Sequence, residues 1–195
     1  MFAKNKSVFV SLMGALVAGV LYCALHLLNS WLFKFVEVSD HINLVYLPAF
    51  IRLASVLILG MVWGTLGTSI GCLMLLNWSQ DANIWISLAN LCVSAGVAAL
   101  SVYVLQTLAQ RRLSIIRLVD LVQLALLYAL LNALIHHALW SAIDPSQLLY
   151  PAQMFEMVLG DINGALIGAL VLRWIARKTK LTTLLRQRIS VDMPR

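Results

Sequence analysis

The sequence predicts an all-α, polytopic transmembrane helix bundle of about six spans, with N- and C-termini cytoplasmic. Three observations predict it. Of the 195 residues, 62% are hydrophobic and 11% are charged, with a mean hydropathy of +0.90. Soluble domains run at about 45–50% apolar and about 25% charged. The apolar residues fall in runs close to the roughly 20 residues a helix needs to cross a bilayer. The cations collect beside those runs, where membrane topology puts them.

The first span is expected from about Ser7 to Phe33. Lys4 and Lys6 before an apolar run resemble a signal peptide, but the run exceeds the 7–15 residues of a signal h-region, so it is read as a retained span. A polar interval with Lys34, Glu37, Ser39, Asp40, His41 and Asn43 follows. The second span is expected from about Leu44 to Gly60 and the third from Met61 to Leu76, with almost no loop between them. Gly60, Gly64 and Gly67 sit where the chain must turn, and glycine tolerates the positive φ of a tight turn. A re-entrant or partly unwound segment is the alternative for residues 44–76, tolerated where protein covers it. A short loop, Asn77 to Asn83, leads to a fourth span of about Ile84 to Ala109. The basic stretch Gln110 to Arg117 precedes a fifth span of about Leu118 to Ile143. A loop with Pro145 and Pro151 leads to a sixth span of about Met154 to Ile175. Residues 1–176 thus form one membrane domain, with no stretch left for a soluble catalytic domain. Residues 177–195 form a basic cytoplasmic tail, either an amphipathic helix on an anionic leaflet or a solvated end.

Charge orients this layout. With the N-terminus inside, 12 of the 14 Lys and Arg residues are cytoplasmic. Only Lys34 lies outside, with Glu37, Asp40, Asp81 and Asp144, while Arg52 lies within a span. The bias orients a multi-pass membrane protein. The net charge of +6 therefore belongs to the lipid bilayer as partner and not to nucleic acid.

Ionisable residues within spans are costly and usually face the bundle interior. Arg52 lies about two turns below the outer end of the second span, Glu156 and Asp161 in the outer half of the sixth. His136 and His137 lie near the outer end of the fifth, His26 in the outer half of the first, and Asn90, Asn132 and Asn163 at intermediate depths. Asp120 stands apart at the inner end of the fifth. Arg52 and Asp161 have matching depths, at about 1.5 Å per residue, and are expected to meet as an ion pair. Arg52, Asp161, Glu156, Asn163 and His136 are the candidate ligand-binding residues. The cluster is either a polar pin fixing helix register or an outward-facing pocket, with Arg52 gripping a carboxylate or phosphate. His136 and His137 are adjacent and point about 100° apart, so a solvated or pore-lining role is expected and no metal site. No cofactor is expected either.

Gly160, Gly164 and Gly168 recur every four residues on the sixth span, Gly67 and Gly71 on the third, and Ala15 with Gly19 on the first. Small residues at this spacing let helix backbones approach closely, within one chain or across a homodimer, and mark the sixth span as a central helix. Trp31, Trp78, Trp85, Trp140, Tyr150 and Trp174 fall near span boundaries and read as interfacial anchors. Cys23, Cys72 and Cys92 lie in apolar runs and read as small packing residues. No P-loop, HExxH, GxSxG or CxxC pattern is present, and no enzyme is expected.

The stretch Val45-Tyr46-Leu47-Pro48-Ala49 through Arg52, followed by Gly60, Gly64, Gly67 and Gly71, resembles the MASE1 family of integral membrane sensory domains. Leu159-Gly160-Asp161-Ile162-Asn163-Gly164-Ala165 is similar to that family's Gly-Asp-x-x-Gly element. The resemblance implies signal transduction: a sensor in a bacterial inner membrane that feeds a signalling enzyme. The small six-span layout and the Ala15-x-x-x-Gly19 ridge also resemble substrate-capture subunits of energy-coupling-factor vitamin transporters, which implies a transporter module as partner. An accessory structural membrane protein is the third expectation.

Overall fold

The computed structural model describes residues 2–39, 42–76, 84–115, 117–143 and 151–178. Among these residues the chain forms six helices. They are α1 (Phe2–Leu32), α2 (Pro48–Leu59), α3 (Met61–Leu75), α4 (Ile84–Ala109), α5 (Leu118–Ile143) and α6 (Pro151–Lys178). A short antiparallel pair, β1 (Glu37–Ser39) and β2 (Ile42–Asn43), follows α1. The expectations for Asp40, His41, Trp78, Asp81, Asp144, Tyr150 and the tail from residue 179 lie outside the described residues.

Four helices, α1, α4, α5 and α6, are long and apolar enough to cross a membrane. The second predicted span is shorter than expected, at 12 helical residues, while the third, at 15, keeps its expected bounds to within a residue. At about 1.5 Å per residue they reach about 18 and about 22 Å, short of a hydrocarbon core of about 30 Å. The reason is local. Residues 44–47 are not helical, and α2 begins at Pro48, whose ring suits a first helical position with no N–H to satisfy.

The non-helical segment is clamped by its neighbours. The Leu44 amide donates to the Val36 carbonyl at 3.2 Å, and the Tyr46 amide to the Gly160 carbonyl at 3.0 Å. Asn163 Nδ2 donates to the Leu44 carbonyl at 2.9 Å, and the Leu47 amide to Asn29 Oδ1 at 2.8 Å. Side chains and the α6 backbone thus replace the ladder that a helix would supply, as backbone at membrane depth requires.

The glycines set the close approaches. A Cβ on Gly160 or Gly164 would overlap the carbonyl of Asn43 or Tyr46, and one on Gly168 would meet the Phe50 ring. The α6 ridge therefore packs inside the chain, against the segment that leads into α2. A Cβ on Gly67 would lie 2.9 Å from the Ala15 carbonyl, and one on Gly71 2.6 Å from that of Gly19. Both contacts advance by four residues, so α3 runs parallel to α1. Gly60, with φ +85°, makes the turn between α2 and α3, and Gly64 lets the two backbones meet at Val56. Leu59 reaches Gly14, which places this hairpin tip toward the N-terminal end of the apolar stretch of α1.

The innermost helix is α2, not α6 as its glycines suggested. Ala49, Leu53 and Val56 of α2 form one core cluster with Val93, Val97 and Val102 of α4 and Leu124 and Tyr128 of α5. The glycine face of α6 is one-sided; Phe155, Leu170, Val171 and Trp174 on its other faces are exposed. Trp31 and Trp85 are also exposed, but Trp140 is buried and donates to Asn90 Oδ1 at 2.6 Å. An indole sinks when its N–H finds a partner, so Trp140 is not an interfacial anchor. Cys23 and Cys72 are buried, and Cys92 is exposed.

Candidate functional site

Arg52 projects from the innermost helix and is 3% exposed. A guanidinium in such a place must find acceptors for its N–H groups, and it finds four hydroxyls on four different elements. Nη1 donates to Tyr128 Oη of α5 at 2.8 Å. Nη2 donates to Tyr22 Oη of α1 at 2.6 Å, to Tyr46 Oη at 3.0 Å and to Ser94 Oγ of α4 at 2.9 Å. The guanidinium also lies 5.1 Å from the ring centroids of both Tyr22 and Tyr46, within cation–π range. Tyr22 and Tyr46 hydroxyls are 3.3 Å apart, and His26 Nδ1 is 3.2 Å from the Tyr46 hydroxyl.

Asp161 is equally buried, and its partner is Asn132, whose Nδ2 donates to Oδ2 at 2.7 Å. The expected Arg52–Asp161 ion pair does not form. The hydroxyls occupy the Nη groups of Arg52, and the ion pair among the described residues is Arg111–Asp120. Arg52 and Asp161 still lie within electrostatic reach of one another.

Helix counting fixes the depth of this centre. Tyr22 is about 15 Å from the Leu32 end of α1, Ser94 about 15 Å from the Ile84 end of α4, and Asp161 about 15 Å from the Pro151 end of α6. These depths fall at the middle of a core of about 30 Å, deeper than the outer-half position read from the sequence.

Among the described residues, four buried side-chain atoms lack a hydrogen-bond partner: Arg52 Nε, Asn132 Oδ1, His137 Nε2 and Glu156 Oε2. His136 and His137 are buried rather than solvated. His136 Nδ1 is 3.0 Å from the Asn132 carbonyl, and both imidazoles lie edge-on to the Trp140 ring, 5.4 and 5.0 Å away. Glu156 is half-buried, with no contact to Arg52 or Asp161, and Asn163 is exposed on the far side of α6. The centre thus gathers Arg52, Asp161 and Asn132, adjoins His136, and leaves Glu156 and Asn163 apart. Among the described residues no group of three His, Cys, Asp or Glu residues is placed to hold a metal ion.

Sequence reasoning missed the hydroxyls. Their signal is depth: Tyr22, Ser94 and Tyr128 are polar groups near the middle of apolar helices, level with Arg52. It also missed the partner of Asp120. Gln110, at φ +52°, ends α4 and turns the chain so that Arg111 returns to the start of α5. There Nη1 and Nη2 donate to the two Asp120 oxygens at 2.8 and 2.6 Å, and the Ser114 amide donates at 2.9 Å. The carboxylate raises the Arg111 pKa further above its ordinary value. A groove of about 440 Å³ opens beside it, lined by Tyr103, Gln106, Thr107, Gln110, Arg111 and Arg112.

No family model, no curated protein and no solved structure matches this chain. The four long apolar helices identify a multi-pass membrane protein.

Proposed function

We propose that this is a six-span, MASE1-like protein of a bacterial inner membrane, with both ends cytoplasmic, that senses or binds a small ligand at the polar centre around Arg52 and Asp161. The carrying observation is the incomplete solvation of that centre. A guanidinium and a carboxylate are held at middle depth, yet Arg52 Nε–H and Asn132 Oδ1 have no partners. A pin that served register alone would use all its polar atoms, because each buried unsatisfied one costs about 1–3 kcal/mol. An anionic ligand would accept from Arg52 Nε. The six-span layout is supported by the non-helical residues 44–47, which lengthen the path of this segment beyond the helical length of α2.

A thermal-melting series on the protein in nanodiscs tests this reading, with acetate, succinate and inorganic phosphate as probes. At least one anion raises the melting temperature of the wild type and not of Arg52→Lys, which keeps the charge and loses the planar fork. An equal shift in both proteins, or no shift in the wild type, contradicts the reading.

One observation favours a transport subunit as the second reading. The span containing α2 is helical only from Pro48, and discontinuous helices near the midplane mark substrate sites in many transporters. Copurification separates the readings. An associated signalling enzyme favours the sensor, an ATPase module favours transport, and monomer without retained ligand favours an accessory structural role.

A further inference from the structure

The outward face of α6 carries a residue that lipid does not accommodate. The apolar span of this helix runs from Pro151 to Ile175, and Asn163 is its midpoint. Asn163 is exposed on the side of the protein, in line with Ile167, Leu170 and Trp174, which are exposed as well. Its amide makes one hydrogen bond, from Nδ2 to the Leu44 carbonyl. The second N–H and both lone pairs of Oδ1 have no partner among the described residues. A primary amide in hydrocarbon with most of its hydrogen-bonding capacity unused costs several kcal/mol. The backbone it holds, residues 43–47, is non-helical and only half-buried. Non-helical backbone at membrane depth occurs where protein covers it or water reaches it.

We propose that two copies of this chain associate side by side through α6, with Asn163 of each at the centre of the seam. An amide is donor and acceptor at once. Its own image across a two-fold axis satisfies both functions in one reciprocal pair, as closed symmetric interfaces do. Asparagine side chains associate membrane helices in this way. The partner helix also covers the half-buried segment 43–47, which the glycine ridge of α6 leaves open on this side. The seam is therefore distinct from the glycine ridge, which is occupied within the chain by Asn43, Tyr46 and Phe50. Glu156 lies two turns toward the outer end on the same stripe, and its Oε2 is buried within its own protomer.

Cysteine cross-linking and dilution in lipid test the seam. In a Cys92→Ser background, Ile167→Cys in native membranes is expected to form a disulfide-linked dimer under mild oxidation. Tyr103→Cys, exposed on α4, is expected to do so many times more slowly. Neither substitution removes Asn163 or its bond to Leu44, so the two positions are compared with that bond present in both. Förster transfer between labelled copies diluted into lipid vesicles then measures association. Asn163→Leu is expected to weaken it about tenfold, the scale of one or two interhelical hydrogen bonds, and Asn163→Gln to restore most of it. Equal cross-linking at both positions, a wild-type protein that stays monomeric in pure lipid, or unchanged association of Asn163→Leu overturns the proposal.

Discussion

Arg52 concentrates the energetics of the molecule in one side chain. A charge at the middle of a bilayer is expensive, and the hydroxyls around Arg52 solvate it without neutralising it. The opposite charge, Asp161, stands off in the same interior and is held by Asn132. Each hydroxyl bond to a charged donor contributes about 1.5–3 kcal/mol, so Tyr128→Phe is expected to lower the unfolding free energy by about that amount. Arg52→Lys is expected to cost more, because an ammonium with three donors does not span hydroxyls on α1, α4, α5 and the segment before α2. Reversible unfolding in mixed micelles measures both, and a Tyr128→Phe variant as stable as the wild type would remove the hydroxyl cage from the account. The sequence made Arg52 conspicuous as a lone cation in an apolar run. It hid the partners, because Tyr128 and Tyr22 lie 76 and 30 residues away and a tyrosine in an apolar helix has no pattern that marks it as a ligand.

At the scale of elements, α6 and the segment before α2 are made for one another. Gly160 and Gly164 present bare backbone to the carbonyls of Asn43 and Tyr46, and Asn163 and the Gly160 carbonyl supply the hydrogen bonds. Gly164→Ala places a methyl into a backbone carbonyl that cannot rotate away. Overpacking of this kind costs about 1–3 kcal/mol, and the rigid obstacle here puts the expected loss at the upper end of that range. Gly96→Ala on α4 is the control. A Cβ there meets nothing within 4 Å, and the gain in helix propensity is expected to stabilise the protein by about 0.5–1 kcal/mol. Melting curves of the two variants in one detergent check the pair, and a Gly164→Ala variant that matches Gly96→Ala would contradict the packing. The four-residue spacing of glycines was legible in the sequence; their partner was not. Small residues announce a close approach without naming what approaches, and here it is non-helical backbone.

The whole molecule combines four long helices with a short, glycine-turned pair whose first member is the innermost element. Hydropathy made the number of apolar segments readable, because a bilayer imposes it on the sequence directly, and the charge bias predicts their orientation. The shortness of α2 was less readable, since residues 44–47 are as apolar as the helix they precede and only their backbone bonding sets them apart. Six crossings with cytoplasmic ends require the α2–α3 turn to reach the cytoplasmic face and the β1–β2 pair to lie on the opposite one. Single cysteines at Glu37, Val62 and Leu108, all exposed, introduced one at a time in a Cys92→Ser background, test that requirement directly. A membrane-impermeant thiol reagent applied to right-side-out and inverted membrane vesicles is expected to label Glu37→Cys from the outer face, and Val62→Cys and Leu108→Cys from the cytoplasmic face. Labelling of Val62→Cys from the same face as Glu37→Cys would make α2 and α3 a re-entrant hairpin and contradict the six-span account.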